Sequence, residues 1–271
     1  MAKMPLRLLH AVGTVLGWAM YGMSPTYRRH LRANLAQAGI EGAATRRAAI
    51  AAAGHMLAEL PALWLRPRDD VVALVQSAEG VEAALAARAR GKALLLLTPH
   101  LGCFEVAAQY AALHVPITVL YRAPKMAWLD PLMREGRERP NVRLVGADLA
   151  GVREVFKALS RGEATGFLPD QVPGKGEGEW TTFFGRPAYT VTLAAKLAAR
   201  DNIAPFLAYA RRLPKGAGYR IVVRPFPEKN SSETATRHLN RALEELVREC
   251  PEQYLWGYNR YKIPAGAPQP P

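Results

Sequence analysis

His100 and Glu105 lie just past the apolar run Ala93-Leu94-Leu95-Leu96-Leu97, in the segment Thr98-Pro99-His100-Leu101-Gly102-Cys103-Phe104-Glu105. A histidine and a carboxylate held together can act as a general base, the carboxylate binding one ring nitrogen and leaving the other to take a proton. On a continuous helix, residues five apart diverge by roughly 140°. The two side chains therefore converge only if His100 lies in a loop and Glu105 in the first turn of a helix, where a negative charge is also favoured. The local pattern agrees: the Leu run reads as a buried strand, Pro99 and Gly102 interrupt it, and Phe104 to Tyr110 has helical composition. By spacing alone the pattern is weak, and a buried histidine beside an unrelated helix-start glutamate is the commoner arrangement. Cys103 offers a competing thiol nucleophile, although a lone cysteine is more often a small buried hydrophobe.

The elements that must position this pair follow from periodicity. Apolar residues at helical spacing predict helices over 45–64, 80–90, 105–113, 128–138, 149–160, 190–200 and 231–250. Strands are expected at 93–98, 117–120, 142–145, 165–168, 203–210 and 219–223. Strand alternating with helix predicts an α/β fold with a mixed, largely parallel central sheet flanked by helices. The last two strands, separated by Pro214-Lys215-Gly216, suggest an antiparallel hairpin at the sheet's edge.

The chain has 271 residues, is 49% hydrophobic and shows no Ser/Gly-rich or charge-run linker, so one domain over 24–264 is expected. Residues 1–23 form an apolar helical extension and 265–271 read as an unstructured tail. The two cysteines, Cys103 and Cys250, are far apart and lack metal spacing, which argues against a disulfide scaffold or a zinc site. No acid-rich metal cluster is visible, and no cofactor is implied. The loop Gly174-Lys175-Gly176-Glu177-Gly178 lacks the Gly-Lys-Ser/Thr ending of a phosphate loop and reads as a flexible lid.

A net charge of +13 requires an anionic partner. Nucleic acid is the first candidate on charge, but no RNP-type aromatic strand, zinc-finger spacing or basic zipper region is present. Residues 1–50 carry Lys3, Arg7, Arg28, Arg29, Arg32, Arg46 and Arg47 against Glu41 alone, beside the apolar stretch Leu6–Met23. That arrangement suits an anionic leaflet, which attracts juxtamembrane basic residues at about 1 kcal/mol each. Arg7, His10 and several glycines interrupt the stretch, so an interfacial or shallowly inserted helix is expected rather than a spanning one.

The His100/Glu105 spacing resembles the His-x4-Asp/Glu signature of the bacterial lipid A late acyltransferases, within the lysophospholipid acyltransferase group. The likeness continues in order through Val119-Leu120-Tyr121-Arg122-Ala123-Pro124, Gly166-Phe167-Leu168-Pro169-Asp170-Gln171 and Phe183-Phe184-Gly185-Arg186-Pro187-Ala188. It closes with Pro251-Glu252-Gln253-Tyr254-Leu255-Trp256 and Asn259-Arg260-Tyr261-Lys262, so it runs from about residue 5 to residue 264. Tyr258 and Tyr261 depart from the His and Phe common in such proteins, and the 172–180 loop is this chain's own.

The resemblance implies a glycerolipid acyltransferase-like fold and transfer of a fatty acyl chain from acyl carrier protein to a hydroxyl of a lipid A precursor, at the cytoplasmic face of a bacterial inner membrane. His100 would be the base and Glu105 its orienting partner. Tyr121, Arg122, Asp170 and Gln171 would line the substrate site, with Asp170 and Gln171 contacting the acceptor or helping to hold Arg122. Phe183, Phe184 and Trp180 either wall an acyl channel or pack in the core. Acylation of another glycolipid or a lysophospholipid is the alternative reaction. A basic lipid-binding protein without catalysis is the alternative class, and it has no need for the His100/Glu105 pair.

Overall fold

The computed structural model describes residues 4–124 and 126–271; Lys3 of the basic N-terminal cluster lies outside them. The chain opens with three helices, α1 (Leu6–Met23), α2 (Pro25–Gln37) and α3 (Ala43–Leu65), followed by the short α4 (Arg68–Val72). The α/β body runs β1 (Val75–Glu79), α5 (Val81–Ala89), β2 (Ala93–Leu97), α6 (Phe104–Ala111), β3 (Ile117–Tyr121), α7 (Asp130–Arg137), β4 (Val142–Gly146), α8 (Leu149–Ser160) and β5 (Ala164–Phe167). It continues through the hairpin β6 (Gly178–Phe183) and β7 (Arg186–Val191), α9 (Thr192–Ala198), β8 (Ile203–Arg212), β9 (Tyr219–Pro225) and α10 (Ala235–Glu249).

Seven strands form one sheet in the order β1-β9-β8-β2-β5-β3-β4, mostly parallel, with β8 and β9 antiparallel. The β8–β9 hairpin is not the edge, because β1, which the sequence pattern did not reveal, adds outside β9. β1 has the burial pattern of a half-exposed strand and only five residues, Val75-Gln76-Ser77-Ala78-Glu79, too polar to stand out. Residues 190 and 191 belong to β7 rather than to the helix expected over 190–200, and α10 begins at Ala235 rather than at residue 231. The expected lid over 174–178 runs into strand at its last residue: Gly178 opens β6 and pairs with Val191.

The Leu run divides by period two. Leu95 and Leu97 face α8, α9 and α10, packed with Val155, Ala194 and Leu243, whereas Leu94 and Leu96 face α5 and α6 with Ala84, Val106 and Ala107. Leu95 and Leu97 are fully buried, and each such side chain contributes about 1.5–3 kcal/mol relative to exposure. Helices therefore cover both faces, and the carboxyl ends of β8, β2, β5, β3 and β4 share one edge.

α1 and α3 pack as a close pair beside that edge. A Cβ at Gly54 would sit 1.8 Å from the Gly13 carbonyl oxygen, so only glycine allows this approach. α3 is the one helix among the described residues long and apolar enough to cross a membrane, yet half of that stretch is buried inside the protein. α1 buries Leu6, Leu9, His10, Gly13 and Gly17 and leaves Leu8, Val12, Val15, Leu16, Trp18 and Met23 exposed.

A buried ion cluster ties the helical pair to the sheet. Glu59 of α3 accepts from His10 of α1 at 2.6 Å and from Nε of Arg212 on β8 at 2.9 and 3.0 Å. Burial alone would raise the Glu59 carboxyl, but Arg212 and His10 outweigh it and hold it at about 2. His55 stacks on His10 at 4.4 Å, and burial pushes its ring down to about 4, so it is neutral at pH 7. Because the Glu59 pKa is depressed on folding from 4.5, its contribution to stability is present above pH 4.5 and is lost as pH falls from there towards 2. Glu59→Leu should leave Arg212 buried and unpaired, lower stability by about 3–5 kcal/mol at pH 7 and flatten the acid limb in that window. Denaturant titrations across pH read both, and an unchanged acid limb would place the titrating group elsewhere.

Candidate active site

The segment from Thr98 to Cys103 leaves the end of β2 and is pinned on three sides. Thr98 N–H donates to Phe167 O of β5 at 2.8 Å, Cys103 N–H to Ala210 O of β8 at 2.8 Å, and Gly102 N–H to Gln253 O at 3.1 Å. Gly102 has φ +60°, and a Cβ there would sit 2.1 Å from Ala210 O, so glycine is required on both counts. The His100 carbonyl accepts from Leu255 N–H at 3.0 Å. His100 is thereby fixed in a loop, and Glu105 falls in the first turn of α6.

The partner of His100 is not Glu105. Asp170, just past β5, accepts from the His100 backbone N–H through Oδ2 at 2.9 Å and holds the ring at Nδ1 through Oδ1 at 2.8 Å. Burial would raise the Asp170 carboxyl, but the charge and hydrogen bonds of His100 outweigh it and hold it below the ordinary carboxylate range. An ionised Asp170 places the proton of a neutral ring on Nδ1 and leaves the Nε2 lone pair facing outward, where the Gln171 amide nitrogen lies at 3.1 Å. Tyr254 lies beside Asp170; burial and then that carboxylate push its hydroxyl far up.

Glu105 instead binds Arg137 of α7, whose Nε donates to both carboxylate oxygens at 2.9 and 3.0 Å and whose Nη2 also reaches Oε1. Burial would lower the Arg137 guanidinium, but the charge and hydrogen bonds of Glu105 more than offset it, so the guanidinium stays charged. Arg137 also lies 5.6 Å from the ring centroids of Trp64 and Tyr121. The turn between Cys103 and Glu105 sends the carboxylate towards α7, while β5 delivers Asp170 to the imidazole. Only long-range contacts reveal this exchange of partners: Asp170 was named as a site residue on other grounds, and Arg137 carried no signal in the sequence.

These groups surround a cavity of about 780 Å³ at the carboxyl edge, lined by His100, Glu105, Tyr121, Arg122, Arg137 and Gln171. Tyr121 turns its hydroxyl to Asp130 at 2.7 Å. Arg122 stands on the rim, its side chain 70% exposed, and its nearest carboxylate is Glu177 at 3.9 Å. Asp170 does not hold Arg122, because it is turned inward beneath His100. A narrow apolar slot of about 70 Å³ between α5, α6 and the sheet adjoins the cavity, sharing Phe104, Ala108, Val119, Gly166 and Leu168.

Cys103 is buried, and burial with the Glu59 charge drives its thiol well above the usual range, the reverse of what a thiolate nucleophile needs. Phe183 and Phe184 pack in the core with Trp256 and Tyr261, away from the cavity. Trp180 N–H donates to Pro268 O at 2.7 Å and so fastens the tail, within which no regular element forms. The closing motif acts as a brace: the Gln253 side chain pairs with both the N–H and the carbonyl of Arg212, and Arg260 donates to Tyr189 O and Thr190 Oγ1. No group of three or more His, Cys, Asp or Glu side chains among the described residues converges as metal ligands would.

Comparison with known proteins adds the family. The chain is 28% identical over 222 residues to the lipid A biosynthesis lauroyltransferase of Escherichia coli (strain K12), covering 79% of this chain and 71% of that protein. It is 26% identical over 212 residues to that organism's lipid A biosynthesis palmitoleoyltransferase, covering 77% and 68%. A lipid A biosynthesis acyltransferase of Haemophilus influenzae is 25% identical over 181 residues, covering 65% of this chain and 56% of that protein. The profile of the bacterial lipid A biosynthesis acyltransferase family matches residues 1–263, and the chain belongs to that family.

Proposed function

We propose that the protein transfers a fatty acyl chain from the thioester of an acyl carrier protein to a hydroxyl of a lipid A precursor, with His100 as general base and Asp170 as the carboxylate that orients it. The observation that carries this reading is the outward Nε2 of a histidine whose Nδ1 and backbone N–H are both held by one buried, ionised carboxylate. The Gln171 amide marks the place an acceptor hydroxyl would take.

In the reaction, Nε2 removes the hydroxyl proton as the acceptor oxygen attacks the thioester carbonyl. Asp170 stabilises the resulting imidazolium. The tetrahedral oxyanion collapses with cleavage of the carbon–sulfur bond, and the leaving thiolate recovers the proton from Nε2. Arg137, held by Glu105 in the cavity wall, supplies a fixed positive charge near the developing oxyanion, and Arg122 on the rim suits an anionic group of donor or acceptor. Glu105 is thus a positioning residue acting through Arg137. The acyl chain would lie along the apolar slot beyond Gly166. The exposed apolar face of α1 would rest on the cytoplasmic face of the inner membrane.

His100→Ala should lower turnover on the order of 10²–10⁴-fold in a protein that still folds, and Asp170→Asn should fall by a comparable factor, measured as acylated glycolipid formed from acyl carrier protein. Cys103→Ser should keep most activity. Near-normal turnover in His100→Ala would end the general-base reading, and a dead but folded Cys103→Ser would restore a thiol route.

Gly166 lines the slot, and a Cβ there would meet Ile117 and Val119 at 3.4 and 3.5 Å, ordinary contact distances. Gly166→Leu should shift the product, read by mass spectrometry, towards shorter acyl chains; an unchanged chain profile would put the chain elsewhere. Docking of an acidic carrier on a chain of net charge +13 is electrostatically favoured, and that attraction is screened over about 8 Å at physiological ionic strength. Added salt should therefore raise the apparent KM for acyl carrier protein more than that for a short acyl-coenzyme A, with acceptor fixed in detergent. An equal response would reject the carrier as donor.

A further inference from the structure

α2 presents Arg28, Arg29 and Arg32 on its outer face, and Arg46 at the start of α3 closes over them to form an open groove of about 790 Å³. Glu41 is the one acidic side chain lining it. Arg28 donates to the Tyr21 and Gly22 carbonyls at 3.3 Å, which seats the groove directly against the end of α1. Arg29, Arg32 and Arg46 form no ion pair among the described residues. Three guanidiniums outside any ion pair thus share one concavity with a single carboxylate, which leaves it net positive, and their planar forks fit a phosphate bidentately.

We propose that this groove is a binding site for the phosphate headgroup of an anionic phospholipid. The neighbouring surface selects a lipid over an acidic protein: Met23 is 84% exposed and Trp18 43% exposed at the adjoining end of α1, so the charge borders apolar surface as it does in a molecule resting on a bilayer. The site lies outside the catalytic cavity and shares no residue with it. The proposal rests on the membrane-surface reading of α1 but fails separately from it, since neutral vesicles test α1 alone.

The full-length chain is assayed by co-flotation with phosphatidylcholine vesicles with and without phosphatidylglycerol, at fixed ionic strength. The parent protein should prefer the anionic vesicles. R29Q/R32Q/R46Q should lose that preference by on the order of 100-fold, about fivefold per arginine, while its binding to neutral vesicles and its turnover on detergent-dispersed acceptor stay at parent level. R29K/R32K/R46K, which keeps the charge, should lose part of the preference because the forks are gone. A glutamine variant that prefers anionic vesicles as the parent does overturns the site, and a lysine variant indistinguishable from the parent reduces it to diffuse attraction. Saturable binding of inorganic phosphate that R29Q/R32Q/R46Q abolishes, in a parent protein that shows no preference for anionic vesicles, reassigns the groove to a free anion. Retained vesicle preference with a raised KM for acyl carrier protein reassigns it to the carrier.

Discussion

A carboxylate removed from water must be met by hydrogen-bond donors, and Asp170 meets this constraint with two donors from one residue. Because both the backbone N–H and the ring of His100 point at it, the loop after β2 can take only one course, and its anchors to β5, β8 and the closing segment hold that course. The same pairing fixes the tautomer that leaves Nε2 facing the cavity. The course of the loop and the exposure of Nε2 therefore rest on one buried charge, which costs several kcal/mol to desolvate unless its lone pairs are answered.

Two further buried carboxylates extend the principle outward. Glu105 answers Arg137 and fastens α7 to α6 beside the cavity, and Glu59 answers Arg212 and His10 and fastens the α1–α3 pair to β8. The Gln253 side chain bridges the Arg212 backbone, while the Gln253 backbone carbonyl accepts from Gly102 N–H. A continuous chain of polar contacts thus runs from α1 through α3 and β8 to the loop that carries His100. The N-terminal helices are part of the site's support and also the surface that carries unpaired arginines and exposed apolar side chains.

Much of this architecture was legible in the sequence. The Leu run of β2, the alternation of strand and helix, and the breaks at Pro99 and Gly102 are local patterns, and they placed His100 in a loop and Glu105 at a helix start as the structure has them. β1 was missed because an edge strand of five residues with polar side chains has no apolar run to read. The β6–β7 hairpin hid behind a Gly-rich loop whose strand character comes from pairing, not from composition.

What the sequence by itself determined was the family and the fold class: the ordered motifs of a lipid A acyltransferase, with His100 and its nearby acids following strands of an α/β sheet. Only the tertiary structure decided which acid serves the histidine. Asp170 is 70 positions from His100 and Arg137 is 32 from Glu105, and pairing over such separations depends on the order in which strands lie in the sheet. β5 sits beside β2, so the residue following it reaches the imidazole. Chain proximity put Glu105 nearer along the sequence, but the start of α6 turned its carboxylate towards a different cation.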